Sequence, residues 1–224
     1  EYLMFATTSG TVKKTSMSAY DRTRRDGIIA IKLRADDELV NVRRVKEGEK
    51  VMLVSTDGKA IMFPESDVRP MGRDTSGVRG ITLKGDAKML GMEITNGNGD
   101  LFVITEKGYG KRTPVSEYPE HKRGGQGVYT ITMTVKKGNL VACRIVGPQH
   151  ELMIMSNEGV IIRVKVKDIS RLGRSTQGVK IMNMADKDSV STIARMAVRT
   201  KKAAKADGGQ GALDLASAGA ADAD

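Results

Sequence analysis

One apolar block occurs four times in this 224-residue chain, and a glycine follows each copy. The glycines are Gly10, Gly58, Gly108 and Gly159, which are separated by 48, 50 and 51 residues. The blocks before them span residues 3–7, 51–55, 101–105 and 152–156. Repetition at such a period is typical of propeller blades and solenoid units, so the chain is expected to fold as an array of similar units.

A second series of glycines runs in phase with the first. Its members are Gly27, Gly77, Gly127 and Gly178, at intervals of 50, 50 and 51 residues, and a β-branched residue follows each one. Two series in phase indicate that the whole unit is repeated, and not a single motif.

Each repeat predicts four short β-strands, which the second repeat shows most clearly at residues 51–55, 59–63, 78–83 and 89–94. Their length and β-branched content favour strands, and no apolar period of 3.6 residues is sustained. A glycine after the first strand suits a tight hairpin, because glycine adopts positive φ without strain. We therefore predict an all-β, propeller-like ring of four-stranded blades, with repeats at about 1–48, 49–97, 98–149 and 150–198.

The composition changes after residue 198, first to a lysine-rich stretch and then to Gly, Ala and Asp. Such a segment buries too little apolar surface to order itself, so residues 199–224 are predicted to be a disordered, basic-then-acidic tail. The tail is either simply solvated, or its acidic end competes for the basic surface of the domain.

The folded part of the chain is strongly basic. The formal charge is +10, and since residues 208–224 hold three aspartates and no Lys or Arg, the remainder carries +13. A positive field of this size suggests a polyanionic partner. Nucleic acid is favoured over a lipid membrane as that partner, because no basic amphipathic helix is visible.

The sequence predicts a cytoplasmic protein. No apolar stretch approaches the roughly 18 residues of a membrane span, and the first residues do not resemble a signal peptide. Cys143 is the one cysteine, so it forms no intrachain disulfide and no Cys-rich zinc site.

Basic residues are concentrated in the loop that ends at the second glycine series. Arg73, Arg123 and Arg174 each precede that glycine by four residues. Radial repetition should place them on one rim, where arginine forks and backbone N–H groups meet phosphates at a regular interval. The predicted DNA-binding residues of these loops are Arg24, Arg25, Arg73, Lys122, Arg123 and Arg174.

A second basic set follows the first glycine series, with Met62 interrupting it in the second repeat. If these side chains face outward, they extend the rim into a band. The set contains Lys13, Lys14, Lys111, Arg112 and Arg163.

No catalytic arrangement is recognisable in the sequence. The histidines are His121 and His150, too few to support a Ser-His-Asp site without other evidence. The string 108–113 resembles a phosphate loop, but Arg112 stands where a Walker sequence needs Ser or Thr. No catalytic residue, metal site or cofactor is expected.

Three strings carry a family resemblance: Gly10-Thr-Val-Lys-Lys-Thr15, residues 69–80 from Arg69-Pro-Met-Gly-Arg73 to Gly80, and residues 108–119 from Gly108-Tyr-Gly-Lys-Arg112 to Pro119. They resemble the C-terminal domain of bacterial DNA gyrase A, over residues 1 to about 197. The resemblance implies a β-pinwheel, which is a propeller-like ring whose blades exchange strands. It also implies that double-stranded DNA wraps around a basic rim.

The same resemblance bears on partners and completeness. The string 122–127 is similar to the basic seven-residue box of that family, with His121 and Gln126 replacing a Gln and a basic residue. Because the family usually has six blades, a fragment of later blades is expected, without the catalytic domain. The implied partners are the rest of gyrase A together with gyrase B, and ATP and Mg²⁺ are used through other domains.

Two alternatives stay open at this stage. The homologous C-terminal domain of topoisomerase IV supports decatenation and carries more degenerate boxes. A propeller scaffold for an acidic protein partner would explain the same charge. Salt-sensitive DNA binding separates the DNA-binding interpretation from the scaffold.

Overall fold

The structure, a computed structural model, describes residues 1–21 and 25–197. Its strands are short and its other elements are 3-10 turns at Met17–Tyr20, Glu65–Asp67, Val115–Glu117, Val135–Lys137 and Val166–Asp168. The strands are β1 (Tyr2–Thr7), β2 (Thr11–Ser16), β3 (Leu39–Val45), β4 (Lys50–Ser55), β5 (Lys59–Pro64), β6 (Val78–Arg79), β7 (Met89–Thr95), β8 (Asp100–Thr105), β9 (Tyr109–Pro114), β10 (Val128–Tyr129), β11 (Leu140–Val146), β12 (His150–Ser156), β13 (Ile161–Lys165), β14 (Val179–Lys180) and β15 (Val190–Ala197).

The strands form four small antiparallel sheets, one for each repeat. Their strand orders are β3-β1-β2-β6, β10-β5-β4-β7, β11-β8-β9-β14 and β13-β12-β15. The inner strands pack in succession, β3 against β7, β7 against β11 and β11 against β15. The all-β, propeller-like prediction is therefore confirmed, as a four-blade β-pinwheel.

Neighbouring repeats exchange a strand. β6 belongs to the second repeat but pairs with β2 of the first, and β10 and β14 pair in the same way with β5 and β9. The third segment of a repeat thus completes the preceding sheet, as the family resemblance implies. It is also shorter than predicted, because the second repeat has a strand over Val78–Arg79 and not over 78–83.

The apolar core lies between consecutive sheets. One cluster joins the first and second sheets through residues such as Met4, Val12, Leu53 and Met92. The other two clusters join the second to the third sheet and the third to the fourth. Because each core needs two sheets, a single repeat cannot bury its own apolar face.

An ion cluster ties the inner strands together. Glu93 of β7 is 6% exposed and accepts from Arg43 of β3 at 3.2 Å and from Arg144 of β11 at 3.1 Å. The Ile145 N–H also donates to this carboxylate, at 3.3 Å. One buried carboxylate therefore links three repeats.

Two sequence predictions are not matched among the described residues. The first repeat forms no strand over residues 25–38, and the fourth sheet has three strands where four were predicted. The predicted tail, residues 199–224, lies outside the described part of the chain.

Candidate nucleic-acid interface

The three loop arginines in register make the same contact. The Nη1 group of each donates to a backbone carbonyl of the preceding repeat. The acceptor residue lies two positions after that repeat's glycine of the second series. These contacts are Arg73 to Ile29 (3.1 Å), Arg123 to Arg79 (3.0 Å) and Arg174 to Tyr129 (3.4 Å). Their regular spacing therefore has a structural cause, because each arginine joins two repeats.

Other groups of these loops are also engaged within the fold. Arg123 donates from Nε to the Asp67 carbonyl at 2.9 Å, and all three arginines are half-buried. Backbone N–H groups of these loops were expected to meet phosphates, but the Gly124 N–H donates to the Gly80 carbonyl at 2.7 Å. That part of the prediction is wrong, because the loop closes against the neighbouring repeat.

Lys13 and Lys111 do not extend a band on the surface. Both are fully buried, so the prediction that they face outward is wrong. Lys111 Nζ donates to the carbonyls of Gly173 and Arg174 and to the Thr176 hydroxyl, at 2.5, 2.9 and 3.0 Å. Lys13 Nζ donates to the carbonyls of Ala30 and Arg73.

The surroundings of these two lysines depress their pKa. Burial is the main cause, and it lowers the pKa of Lys13 and of Lys111 to about 8. The converging carbonyls satisfy the ammonium groups, so each lysine holds the loop of the next repeat against the sheet.

The rest of the second basic set is ion-paired. Lys14 is buried against Glu65, so the outward prediction is wrong for it too. Arg112 is half-buried and donates to Asp100 at 2.6 Å, an acceptor that it shares with Arg171. Arg163 pairs with Glu151, but its side chain is 63% exposed, so it faces outward as predicted.

Arg25 and Lys122 are exposed, as a DNA contact requires. Arg24 lies outside the described residues. The predicted set is thus divided into buried lysines, half-buried arginines at junctions between repeats, and exposed basic residues.

An open groove brings together arginines from three successive repeats. It has a volume of about 570 Å³ and is lined by Ser9, Thr11, Arg34, Arg79, Arg123 and Gly124. Arg34 and Arg79 are exposed, and Arg79 lies on β6, the outer strand of its sheet. The groove is lined by three arginines, whose guanidinium groups suit an anion such as a phosphodiester. Arg123 Nε and Nη1 donate to the Asp67 and Arg79 carbonyls and the Ser9 hydroxyl donates to Asp37, so Arg34 and Arg79 offer the more accessible guanidinium groups.

The sequence prediction missed Arg34 and Arg79. A signal was available for Arg79, because it occupies a repeated position. It lies two residues after Gly77, and Tyr129 and Lys180 lie two residues after the corresponding glycines of the later repeats. These three residues are all exposed, which is typical of a solvent-facing position on an exchanged strand.

Three side chains of potentially reactive type, those of His150, Cys143 and Tyr118, have pKa values that are shifted by the fold. His150 Nδ1 accepts from the Gly147 N–H at 2.8 Å, and burial lowers the pKa of this imidazole. Burial raises the pKa of the Cys143 thiol, which disfavours the reactive thiolate, and raises the pKa of Tyr118 to about 12.

No helix among the described residues has the length and apolar character needed to cross a membrane.

Solved structures share this architecture. A structure titled as the C-terminal domain of DNA topoisomerase IV superposes with a TM-score of 0.85 at 24% identity, covering 92% of this chain and 65% of that one. At this identity the likeness shows the fold alone. A structure of the DNA gyrase A C-terminal domain gives a TM-score of 0.79 at 28% identity, covering 87% of this chain and 65% of that one.

Curated relatives are similar at the level of sequence. The DNA gyrase A protein of Staphylococcus aureus strain MRSA252 is 43% identical over 197 residues, which is 87% of this chain and 22% of the relative. The same protein of strain NCTC 8325 gives the same values. The chain therefore spans about a fifth of the length of the curated relatives that it matches.

The family model described as the DNA gyrase C-terminal domain, β-propeller, matches four segments of the chain. These are residues 1–46, 49–96, 99–146 and 150–195, one for each sheet of the structure. With the strand exchange and the shared sequence, this match shows that the chain belongs to the family of DNA gyrase C-terminal domains.

Proposed function

We propose that this domain binds the backbone of double-stranded DNA at its outer edge and wraps the duplex, in the service of ATP-dependent negative supercoiling. The observation that carries the proposal is the groove in which Arg34, Arg79 and Arg123 converge from three successive repeats. The charge of the chain, +10 overall, adds a long-range attraction for a polyanion.

Contacts of this kind hold a duplex without reading its bases. Arginine forks bind phosphate oxygens, which fix the position of a duplex without carrying sequence information. Binding should therefore tolerate many sequences and prefer those that bend easily. Arg25, Lys122 and Arg163 are exposed and supply further phosphate contacts in this proposal.

Sequence similarity favours gyrase over topoisomerase IV. The curated DNA gyrase A proteins are 43% identical to this chain, and the family model that matches its four repeats is that of the DNA gyrase C-terminal domain. The proposed partners are the rest of gyrase A together with gyrase B, in the bacterial cytoplasm. ATP and Mg²⁺ act through other domains in this proposal, and the domain needs no cofactor of its own.

Salt-dependent DNA binding tests the proposal against the scaffold alternative. Fluorescence anisotropy with duplexes of unrelated sequence should show binding whose logarithmic affinity falls linearly with logarithmic salt. Arg34→Ala and Arg79→Ala should weaken all duplexes by similar factors, and each lost phosphate contact should reduce the slope by about 0.9. Binding confined to one sequence, or no binding at low salt, would overturn the proposal.

A matched control removes the same charge elsewhere. Lys46 directly follows β3 and lies at the end of the first sheet that is far from the hairpin containing Ser9. Val45 pairs with Tyr2 at that far end, whereas Leu39 pairs with Thr7 beside the hairpin. Its side chain is 67% exposed. Lys46→Ala should change the affinity less than Arg79→Ala, if the groove and not the net charge holds the duplex.

A further inference from the structure

The same turn leads into the inner strand of all four repeats. A backbone N–H of its fourth residue donates to the carbonyl of its first, in the pairs Asp37 to Arg34, Ala87 to Lys84, Lys137 to Thr134 and Asp188 to Ala185. The last residue of the turn accepts from the hairpin after the first strand, in the pairs Thr8 to Glu38, Thr56 to Lys88, Glu106 to Asn139 and Asn157 to Ser189. The four turns therefore occupy equivalent places, at the hairpin end of each sheet.

The turn of the third repeat is one residue longer than the others. It runs from Thr134 to Asn139, which is six residues, whereas the other repeats use five, at 34–38, 84–88 and 185–189. The longer turn forms the 3-10 turn Val135–Lys137. Val135 is fully exposed at its tip. The third repeat thus presents a whole apolar side chain to solvent.

Contacts with the next repeat hold this turn in place. Lys137 Nζ donates to the carbonyls of Gln177 and Gly178 at 3.3 and 3.2 Å. The same ammonium group lies 4.9 Å from the centre of the Tyr109 ring. The side chain of Val135 takes no part in these contacts, so the turn does not need an apolar residue at its tip.

Exposed lysines surround the valine. Lys136 follows it directly, and Lys107 lies in the hairpin that is hydrogen-bonded to the end of the turn. Lys180 is exposed on β14, and its ammonium group lies over the same Tyr109 ring as that of Lys137. A single exposed valine is too small for a protein interface, and the positive charge around it favours a polyanion.

This turn lies on the same edge of the domain as the groove. Arg34 begins the equivalent turn of the first repeat and lines the groove with Arg79. Lys180 holds the position of Arg79 on the exchanged strand of its own sheet, two residues after the glycine of the second series. A duplex that follows this edge from the groove along successive repeats therefore reaches Val135.

We propose that Val135 is a wedge that enters a base step of the bound duplex and fixes the bend of the DNA at the third repeat. This inference rests on the proposed function, since it concerns the same duplex on the same edge. Proteins that bend DNA insert apolar side chains between base pairs while basic residues nearby hold the backbone. Val135 supplies the apolar tip, and Lys136 and Lys180 supply the phosphate contacts.

The wedge is confined to the third repeat among the described turns. Ala35, Gly85 and Asp186 hold the second place of the other three turns, and they are too small or too polar to separate two bases. The inserted side chain reads no base edge, so the wedge should select steps that unstack easily.

Two duplexes of the same sequence test the proposal, one fully paired and one with a single mismatch. Both carry 2-aminopurine beside that position, whose fluorescence rises when the base unstacks. We expect the chain to bind the mismatched duplex more tightly and to raise its fluorescence. Val135→Ser should reduce the preference for the mismatch by roughly tenfold and abolish the rise, since the mismatch lowers the cost of unstacking.

Controls separate the wedge from charge and from folding. Val135→Leu should keep both effects. Ala35→Ser places the same polar residue in the equivalent turn and should behave as the unchanged chain does. Lys136→Ala should weaken binding to both duplexes by similar factors and leave the preference unchanged. Circular dichroism establishes that each variant is folded.

The failure of the wedge and the failure of the proposed function give different results. Salt-sensitive binding in which Val135→Ser keeps the full preference for the mismatch would overturn the wedge alone. An unchanged 2-aminopurine fluorescence in the complex with the unchanged chain would do the same. Absence of binding to either duplex at low salt would overturn the proposed function and the wedge with it.

Discussion

Gly77→Ala tests the strand exchange that joins the repeats. Gly77 precedes β6 and has φ +94, and a methyl group there would lie 2.5 Å from the Val12 carbonyl oxygen and 3.1 Å from Lys13 Cβ. The left-handed backbone costs about 1–2 kcal/mol for a residue with a Cβ. Moving β6 away weakens its short ladder with β2, and each lost hydrogen bond costs a further 0.5–1.5 kcal/mol or so.

The expected decrease in the free energy of unfolding is therefore about 3 kcal/mol. Gly27→Ala is the matched control, because it has a similar φ of +79 and nothing within 4 Å of the added methyl. It should lose only the backbone contribution of about 1–2 kcal/mol. Urea denaturation at low protein concentration measures both variants. Equal losses would refute the reasoning, because contact with the preceding sheet would then not be what requires a glycine at position 77.

Three further predictions concern charged side chains that are hydrogen-bonded within the fold. Lys111→Met leaves two carbonyls and a hydroxyl without their donor, so urea denaturation should show a loss of about 1–3 kcal/mol; an unchanged midpoint would contradict this. Because the pKa of Lys13 and of Lys111 is lowered to about 8, the unfolded chain binds more protons between pH 8 and roughly 10.4. Stability should therefore rise across that window, and Lys111→Met should flatten the rise. Burial raises the pKa of Asp37, but hydrogen bonds from Ser9 and Thr8 outweigh it and lower the pKa to about 2. Stability should therefore fall as the pH drops from about 4 to 2, and Asp37→Asn should remove that part of the acid dependence.

The fold was predictable because the repeat unit is visible in the sequence. The glycines in phase mark the hairpins and the starts of the exchanged strands, and both need positive φ, as at Gly58 (+81) and Gly127 (+74). Which sheet the third strand joins was not predictable from the strand pattern, because pairing with the preceding repeat leaves no local signal. Only the family resemblance implied the exchange.

The burial of Lys13 and Lys111 was missed because lysine normally faces solvent. Their acceptors come from a loop about sixty residues away in the chain, at Arg73 and Arg174. A signal was nevertheless available, because Lys13 and Ile61 occupy the same position of their repeats. Lys13 lies three residues after Gly10, and Ile61 lies three residues after Gly58. An apolar residue at the same position of another repeat indicates a buried position.

The loop arginines were predicted from their spacing, which does not distinguish a phosphate contact from a contact between repeats. The structure shows the latter, and each guanidinium still has further N–H groups. Arg34 was missed because the prediction followed the loop that ends at the second glycine series, whereas Arg34 lies seven residues after Gly27. Its place beside Arg79 and Arg123 follows from the packing of three repeats.

The most direct test of DNA wrapping is the topology of relaxed circular DNA that is incubated with the chain and treated with a nicking-closing enzyme at several salt concentrations. Wrapping predicts a change in linking number that salt abolishes, that Arg34→Ala with Arg79→Ala reduces, and that Lys46→Ala leaves nearly intact. An unchanged linking number at every salt concentration, with folded protein bound to the DNA, would contradict wrapping by these four repeats.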